Sequence, residues 1–321
     1  MTIQAQMRRY AFDGHFTIAR GSRSHVEVVE VTICRDGVTG SGECVPYGRY
    51  GETVESVLAQ IASLPQDVTL AQLQLLLPAG AARNGVDCAL WDHAAKLSGQ
   101  PVHALLNLPA PRPLITAFTL SLDTPEAMRA KAAANADRPL LKVKLGTPDD
   151  LPRLRAVRSG APQAQLILDA NEGWTPESYL ELVPQLAELG VALVEQPLPA
   201  GQDDALRTLP RPVPICADES CHDRHSLSDL VGKYDVINIK LDKTGGLTEA
   251  LALKDAAVAQ GFGLMVGCMA ASSLSMAPAV LVAQDASFID LDGPLLLAQD
   301  RENGLIYEQS KIIPATPALW G

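Results

Sequence analysis

Short apolar runs recur along the second part of the chain, and each of them is typical of a buried strand. Eight such runs occupy residues 115–122, 140–146, 165–171, 192–198, 214–220, 235–241, 263–269 and 288–294. Most are followed by a gap of helix length, such as TEALALKDAAVAQG after the sixth run. Eight consecutive strand-then-helix units predict an α/β fold with a closed parallel barrel of the TIM type. An open doubly wound sheet is the alternative.

The pattern before residue 113 is different and does not repeat. Two strand-like runs, 25–34 and the segment ending at 44, flank a turn, and apolar residues at helical spacing follow in 53–64 and 81–99. The Pro-rich stretch PAPRP at 109–113 separates this part from the barrel. We therefore predict an N-terminal α+β domain over 1–112, a barrel over 113–300, and a C-terminal segment over 301–321 that packs back on the N-terminal domain.

The charge balance excludes two classes of partner. The chain has 26 Lys and Arg against 37 Asp and Glu, a net charge of −11. Nucleic acids and anionic membranes both require clustered positive charge, so neither is an expected partner. No stretch of the sequence reaches the roughly 20 apolar residues of a membrane span, and we expect a cytoplasmic protein.

The predicted barrel strands share a register of functional positions. Each position lies towards the C-terminal end of its strand, where barrel enzymes place their chemistry. Scattered surface charge would not keep such a register, so the pattern predicts a site at the barrel mouth. The positions are spaced by 22 to 27 residues, as between 218 and 240 and between 240 and 267: Thr119, Lys144, Asp169, Glu195, Asp218, Lys240, Gly267 and Asp290.

Three carboxylates in this register predict a metal site. Asp169, Glu195 and Asp218 come from three consecutive strands and would enter the mouth together. Converging carboxylates repel each other unless a cation joins them. Oxygen ligands without His or Cys favour Mg²⁺. Any one of these residues alone would be read as a salt-bridged strand end.

Lysines on two strands predict acid/base chemistry. Lys142 and Lys144 share parity and face inward on the second strand, and Lys240 faces inward on the sixth, the opposite strand of an eight-stranded ring. A lysine near other cations loses its proton more easily and can act as a base. Opposed bases around a metal suit removal of the proton next to a carboxylate and its return on the other face, with the metal stabilising the enediolate. The alternative, especially for Lys142, is simple pairing with the carboxylates.

Five motifs resemble the enolase superfamily, in its muconate-lactonizing subgroup, and so does the helix AARNGVDCALWD of the N-terminal domain. The motifs are KVK at 142–144, DANEGW at 169–174, EQPLP at 195–199, ADES at 217–220 and NIKLDKTGG at 238–246. The resemblance implies that the N-terminal domain caps the barrel. It also implies, through the superfamily's known mechanism, that Asp169, Glu195 and Asp218 bind Mg²⁺ and that Lys144 and Lys240 are the acid/base pair.

The eighth strand narrows the substrate class. Asp290 and Asp292 lie two residues apart in DLDGP, so they share a face and could hold an ammonium group. This pair resembles the signature of dipeptide epimerases, which are isomerases. Other enzymes of the subgroup, such as N-acylamino acid racemases and o-succinylbenzoate synthases, act on substrates without a free ammonium group and remain the alternative. A non-catalytic ligand-binding barrel is a further one.

The remaining substrate contacts are expected from the N-terminal domain and the barrel mouth. Arg20 and Arg23 lie in an early loop, and an arginine fork suits a planar carboxylate. The resemblance to bacterial L-Ala-D/L-Glu epimerases implies that one of them binds a glutamate side chain of a murein-derived dipeptide. Further expected contacts are Thr119, Lys142, Cys268 and Met269. Relatives often form homo-oligomers, so a homo-oligomer is one alternative to a monomer for this chain.

Overall fold

The computed structural model describes residues 2–147 and 150–321. The N-terminal domain consists of a three-stranded antiparallel sheet in the order β1-β2-β3, followed by helices. The predicted strands over 25–34 and 40–44 are confirmed. The elements are β1 (Thr2–Ile18), β2 (Gly21–Arg35), β3 (Val38–Cys44), α1 (Val54–Ala62), α2 (Leu70–Leu76), α3 (Ala81–Ser98) and α4 (Val102–Leu105).

The long strand β1 has no counterpart among the predicted elements. Most of its residues are exposed, so it lacks the apolar run that marks a buried strand. Its stability comes from the ladder with β2, which runs from Thr2 opposite Cys34 to Ala11 opposite His25. Tertiary pairing therefore decides this element, which local sequence does not indicate.

The sheet and the helix α3 approach each other closely. A Cβ atom at Gly40 would lie 2.3 Å from the carbonyl oxygen of Ala89, and one at Gly42 would lie 2.2 Å from that of Gly85. These glycines in β3 therefore allow backbone contact with the helix. As a result α3 is buried along most of its length.

The barrel has eight parallel strands in sequence order, which confirms the predicted fold. Ala117 N donates to Ile289 O at 2.8 Å and Leu291 N donates to Thr116 Oγ1 at 2.8 Å. These bonds join the first strand to the eighth and nearly close the ring, which excludes the open sheet. The strands are β5 (Phe118–Leu120), β6 (Leu140–Lys144), β7 (Gln165–Asp169), β8 (Val191–Glu195), β9 (Ile215–Ala217), β10 (Val236–Ile239), β11 (Gly263–Gly267) and β12 (Phe288–Asp290).

The helices around the barrel are less regular than the strands. Only the 3-10 turn Asp204–Arg207 follows β8. Only the 3-10 turn Arg224–Ser226 and the short helix α8 (Leu227–Leu230) follow β9. Proline-rich sequence in this region, such as LPRPVP, disfavours longer helices. No helix in the described part of the chain is long and apolar enough to cross a membrane. The barrel helices are α5 (Pro125–Ala133), α6 (Asp150–Gly160), α7 (Pro176–Leu186), α8 (Leu227–Leu230), α9 (Leu241–Thr244), α10 (Leu247–Ala259) and α11 (Ser273–Val282).

The eighth strand is shorter than the sequence pattern indicates. The apolar run predicts a strand over 288–294. In the structure β12 ends at Asp290, and Asp292 precedes a 3-10 turn over Gly293–Leu296. The backbone leaves the extended conformation at Asp292, with φ −94° and ψ 7°, and Pro294 lies in the first turn of the 3-10 helix, where its missing N–H is tolerated.

The C-terminal residues contact both domains. Strands β13 (Tyr307–Glu308) and β14 (Lys311–Ile312) form a small sheet with β4 (Leu114–Ile115). The indole Nε1 of Trp320 donates to Cys88 O at 3.0 Å, and Gly321 N donates to Asp92 Oδ1 at 2.7 Å. Cys88 and Asp92 both belong to α3, so the end of the chain lies against the N-terminal domain.

Candidate active site

A cavity of about 380 Å³ lies between the N-terminal domain and the C-terminal ends of the barrel strands. Several residues singled out from the sequence line it together. They come from β2, β6 and the loops after β1, β9, β10 and β11: Lys144, Asp218, Lys240, Cys268, Met269, Arg20 and Arg23. Arg49 of the N-terminal domain lines the cavity as well. Tyr50, Asn171 and Glu219 line the same cavity.

Lys142 lies beneath this cavity at the centre of a buried ion cluster. Its Nζ is 2.6 Å from Glu195 Oε2, 2.7 Å from Asp290 Oδ2 and 3.1 Å from Asp169 Oδ2. Burial alone would lower the pKa of Lys142, but the three carboxylates hold that pKa well above its usual value. Lys142 therefore binds carboxylates of the protein and does not line the cavity. The sequence pattern, in contrast, predicts it as a substrate contact.

Replacing Lys142 by methionine is expected to destabilise the fold strongly. Three buried carboxylates would lose their common cation, and breaking a buried ion pair from one side typically costs about 3–5 kcal/mol. Denaturant unfolding without added metal measures the free energy of unfolding. Lys254→Met is the control, because Lys254 pairs with the exposed Asp285 and its loss should cost no more than about 1 kcal/mol. Equal losses in the two variants would contradict the structural role of Lys142.

The three carboxylates predicted to bind metal are almost completely buried and are held by lysines. Asp169 Oδ2 is 2.6 Å from Lys144 Nζ, and Asp218 Oδ2 is 2.7 Å from Lys240 Nζ. Glu195 Oε1 accepts from Asn238 Nδ2 at 2.8 Å. Within residues 2–147 and 150–321, no group of three or more His, Cys, Asp or Glu side chains closes around a single metal-sized point.

The carboxylates differ in their electrostatic surroundings. Burial, together with the negative charge of the neighbouring Asp169, raises the pKa of Glu195 to about 7. Burial also acts to raise the pKa of Asp218, but attraction by Lys240 and Lys243 outweighs it and lowers that pKa well below its usual value. Three oxygen-donor side chains without His or Cys form the donor set that Mg²⁺ prefers, so the residues present fit this ion chemically.

Lys144 and Lys240 approach the cavity from opposite sides of the ring. Lys144 ends β6, and Lys240 follows β10, with β7, β8 and β9 between them. Burial would lower the pKa of Lys240, but Asp218 and other nearby carboxylates hold that pKa well above its usual value. In this arrangement Lys240 carries a positive charge, and its basicity depends on how far the charge of Asp218 is neutralised.

Asp290 and Asp292 are buried beside the cavity rather than on its wall. Asp290 Oδ2 contacts Lys142, and Asp292 Oδ2 accepts from the backbone N–H of Thr119 at 2.6 Å. Burial, together with the negative charge of Asp290, raises the pKa of Asp292 to about 7. Among the described residues, Asp290 Oδ1 is buried without a hydrogen-bond partner. This pair therefore has at least one acceptor without a donor partner.

Arg20, in the loop between β1 and β2, and Arg23, in β2, are in different environments. Arg20 donates to Asn171 O at 2.8 Å and to Tyr47 Oη at 2.9 Å, and it pairs with Glu219 Oε1 at 2.9 Å and Glu172 Oε2 at 3.2 Å. The guanidinium group of Arg20 is therefore bound to other groups of the protein.

The side chain of Arg23, a residue of β2, is exposed, lines the cavity, and forms no hydrogen bond or ion pair with the residues that the structure describes. Its fork is therefore open to a ligand carboxylate. Arg49 donates to both carboxylate oxygens of Glu172 at 2.8 Å, so it ties the N-terminal domain to the barrel.

Sequence reasoning gave no role to two residues inside the quoted motifs. Lys243 donates to Asp218 Oδ1 at 2.6 Å and to Asn238 O at 2.9 Å. The carboxylate of Glu172 accepts hydrogen bonds from both Arg20 and Arg49. The only signal for them was their place within NIKLDKTGG and DANEGW, because their partners lie far away in sequence.

Two family models match the chain. The model described as the mandelate racemase / muconate lactonizing enzyme N-terminal domain matches residues 3–107. The model described as enolase C-terminal domain-like matches residues 127–304.

Two characterised proteins are similar over most of the chain. L-Ala-D/L-Glu epimerase of Escherichia coli (strain K12) is 49% identical over 303 residues, covering 92% of this chain and 94% of that protein. N-acetyl-D-glutamate racemase of a Pseudoalteromonas species is 46% identical over 300 residues, covering 92% of this chain and 95% of that protein.

Solved structures show the same architecture. An enolase family member from Agrobacterium tumefaciens with homology to dipeptide epimerases, bound to sodium and L-Ala-L-Glu, superposes with a TM-score of 0.97 at 55% identity and 99% coverage of both chains. A dipeptide epimerase from Enterococcus faecalis V583, complexed with Mg and L-Leu-L-Tyr, gives a TM-score of 0.90 at 28% identity, covering 98% of this chain and 96% of that one.

Proposed function

Since the chain belongs to the enolase superfamily, with the N-terminal domain of mandelate racemase and muconate lactonizing enzyme, we propose that it is an Mg²⁺-dependent epimerase of L-Ala-D/L-Glu. In this reaction the α-carbon of the C-terminal glutamate is inverted. The observation that carries the proposal is that Lys144 and Lys240 line one cavity from opposite sides of the barrel. A proton removed by one lysine can then be replaced from the other face.

Asp169, Glu195 and Asp218 are the residues that would hold the metal. Bound Mg²⁺ supplies an electrophile that stabilises the negative charge developing on the substrate carboxylate as the α-proton leaves. The pKa of Lys240 is held up chiefly by Asp218, so neutralising that carboxylate lowers the pKa and favours the basic form of the lysine.

Two further contacts would hold the ammonium group and the glutamate side chain of the dipeptide. Asp290 and Asp292 receive the ammonium group, which is supported by the unpartnered Asp290 Oδ1. Arg23 receives the glutamate side-chain carboxylate, which is supported by its open fork at the cavity. Cytoplasmic location and action on murein-derived peptides belong to the same proposal and rest on sequence composition and resemblance.

Asp292→Asn is expected to impair dipeptide epimerisation selectively. The substitution keeps an oxygen that can accept from Thr119 N but removes a charge from the ammonium site. A hydrogen bond to a charged group contributes about 1.5–3 kcal/mol, so kcat/KM for L-Ala-L-Glu should fall about 10- to 100-fold. Racemisation of N-acetylglutamate, which has no ammonium group, should not fall. A fall with both substrates would contradict the assignment.

A second candidate is racemisation of an N-acylated glutamate. It is favoured by the 46% identity to N-acetyl-D-glutamate racemase and by the internal partners that Asp290 and Asp292 already have in Lys142 and Thr119. Comparing kcat/KM of the wild-type protein for L-Ala-L-Glu and N-acetyl-L-glutamate separates the two. A higher value for the dipeptide supports the epimerase, and a higher value for the acylated amino acid supports the racemase.

A further inference from the structure

The turn that carries Lys240 is held by a helix of the other domain. We propose that α3 is a positioning element for Lys240, acting through Asp242 and Arg83. This inference rests on the proposed function, since it assigns a role in proton transfer at the same site. The segment 240–246 is called the Lys240 turn below.

The first contacts are at the middle of the turn. Lys240 directly precedes the single helical turn α9. Within α9, Asp242 Oδ1 accepts from Asn84 Nδ2 at 2.8 Å and from Val45 N at 2.9 Å. Asn84 belongs to α3 and Val45 follows β3, so one buried carboxylate oxygen joins the Lys240 turn to both elements of the N-terminal domain.

The end of the turn is held by Arg83, which directly precedes Asn84 in α3. Arg83 Nη2 donates to Thr244 O at 2.6 Å, and its Nε donates to Gly245 O at 3.2 Å. Arg83 is buried, and its guanidinium therefore caps backbone carbonyls at the C-terminal end of α9.

Two glycines allow this close approach. Gly245 and Gly246 have φ of 78° and 113°, in the region that other residues rarely adopt. A Cβ at Gly245 would lie 2.3 Å from Arg83 Nε, and one at Gly246 would lie 2.5 Å from Asp87 Cβ. Both the conformation and the space therefore require glycine, and the lack of space arises from contact with α3.

The same turn is also fixed from the barrel side. Lys243 Nζ donates to Asp218 Oδ1 at 2.6 Å. Asp242 and Lys243 are consecutive residues, so the short helix that begins after Lys240 is tied to the N-terminal domain by one residue and to Asp218 by the next. The backbone of Lys240 is thereby fixed relative to the cavity.

No equivalent support reaches Lys144. Among the described residues, no side chain of α3 forms a hydrogen bond with 140–147. The backbone after Lys144 is held within the barrel instead, since Leu145 N donates to Asp169 O at 2.9 Å and Gly146 N donates to Asp150 Oδ2 at 2.7 Å. Loosening α3 should therefore affect one lysine and spare the other.

The test measures the two lysines separately. Wild-type protein and the variants Asp242→Ala and Arg83→Met are incubated with Mg²⁺ in D₂O, and NMR follows α-proton exchange from L-Ala-L-Glu and L-Ala-D-Glu in separate samples. Lys240→Met identifies the diastereomer that depends on Lys240. Asn84→Ala is a milder variant of the same contact, to be used if either of the others does not fold by circular dichroism.

We expect the rate of α-proton exchange to fall for only one of the two diastereomers. Misplacing a reacting group by about 1 Å can cost on the order of 100-fold, so exchange of the Lys240-dependent diastereomer should fall about 10- to 100-fold. Exchange of the other diastereomer should change by less than about threefold, within the factor that ordinary context effects produce. The matched control is Asp92→Asn on the same helix, whose carboxylate binds Ser41 N and Gly321 N instead of the Lys240 turn. It should leave the ratio of the two exchange rates unchanged.

Two results would count against this inference, and they are distinguishable. Equal losses for both diastereomers in Asp242→Ala and Arg83→Met, with an active wild-type protein, overturn the positioning role alone. Absence of exchange from the wild-type protein with both diastereomers overturns the proposed function and this inference with it.

Discussion

Replacing Lys144 or Lys240 by methionine is expected to lower the rate of epimerisation by about 10²- to 10⁴-fold, the usual contribution of a positioned acid or base. Methionine keeps an apolar stem of similar length but cannot carry a proton. Each single variant should still exchange the α-proton of one diastereomer, because the remaining lysine retains access to its own face. The two variants should spare opposite diastereomers.

This experiment uses NMR in D₂O with each diastereomer in turn and quantifies exchange and inversion together. Lys131→Met is a suitable control, because Lys131 lies exposed on α5, away from the cavity. Its activity should match that of the wild-type protein. If both lysine variants lost exchange from both diastereomers equally, the assignment of one lysine to each face would be wrong.

Neutralising a predicted metal ligand is expected to have the second large effect. Asp169→Asn, Glu195→Gln and Asp218→Asn each remove one negative charge from the oxygen donor set. A catalytic metal supplies several kcal/mol of transition-state stabilisation, so kcat/KM should fall by about 10²-fold or more in each variant. Chelation of the metal by EDTA should reduce the wild-type protein to a similar level.

Mg²⁺ binding gives a readout that does not depend on activity. A ligand that binds only the folded state raises its stability, so MgCl₂ should raise the Tm of the wild-type protein and raise it less in the three variants. Asp285→Asn is the control, because Asp285 is exposed and pairs with Lys254 at the surface. Variants that bind Mg²⁺ as tightly as the wild-type protein would contradict the ligand assignment.

The barrel and its register could be predicted because the strands repeat. A polar residue near the end of seven of the eight strands, with positions about 25 residues apart, is a local signal that does not depend on long-range contacts. Lys144, Asp218 and Lys240 indeed line one cavity. Two elements depart from the local pattern: β1 is largely exposed and pairs with β2, and β12 ends at Asp290, before a 3-10 turn that the apolar run does not indicate.

The partners of individual side chains could not be read from the sequence. Arg20 and Arg23 look equivalent in IARGSRS, and only the folded chain brings Glu219 and Glu172 to Arg20. Lys142 and Lys144 share a strand face, but the deeper of the two meets three carboxylates from β7, β8 and β12. Such pairings depend on residues about 25 to 200 positions away, whose approach is set by barrel closure and domain packing.

The central claim, proton transfer between two opposed lysines, is tested most directly on the wild-type protein with Mg²⁺ in D₂O, starting separately from L-Ala-L-Glu and L-Ala-D-Glu. The account predicts that each diastereomer is converted to the other and that the newly formed glutamate α-carbon carries solvent deuterium. EDTA should stop both processes. Exchange without formation of the second diastereomer, or a product that retains the substrate's own α-proton, would contradict it.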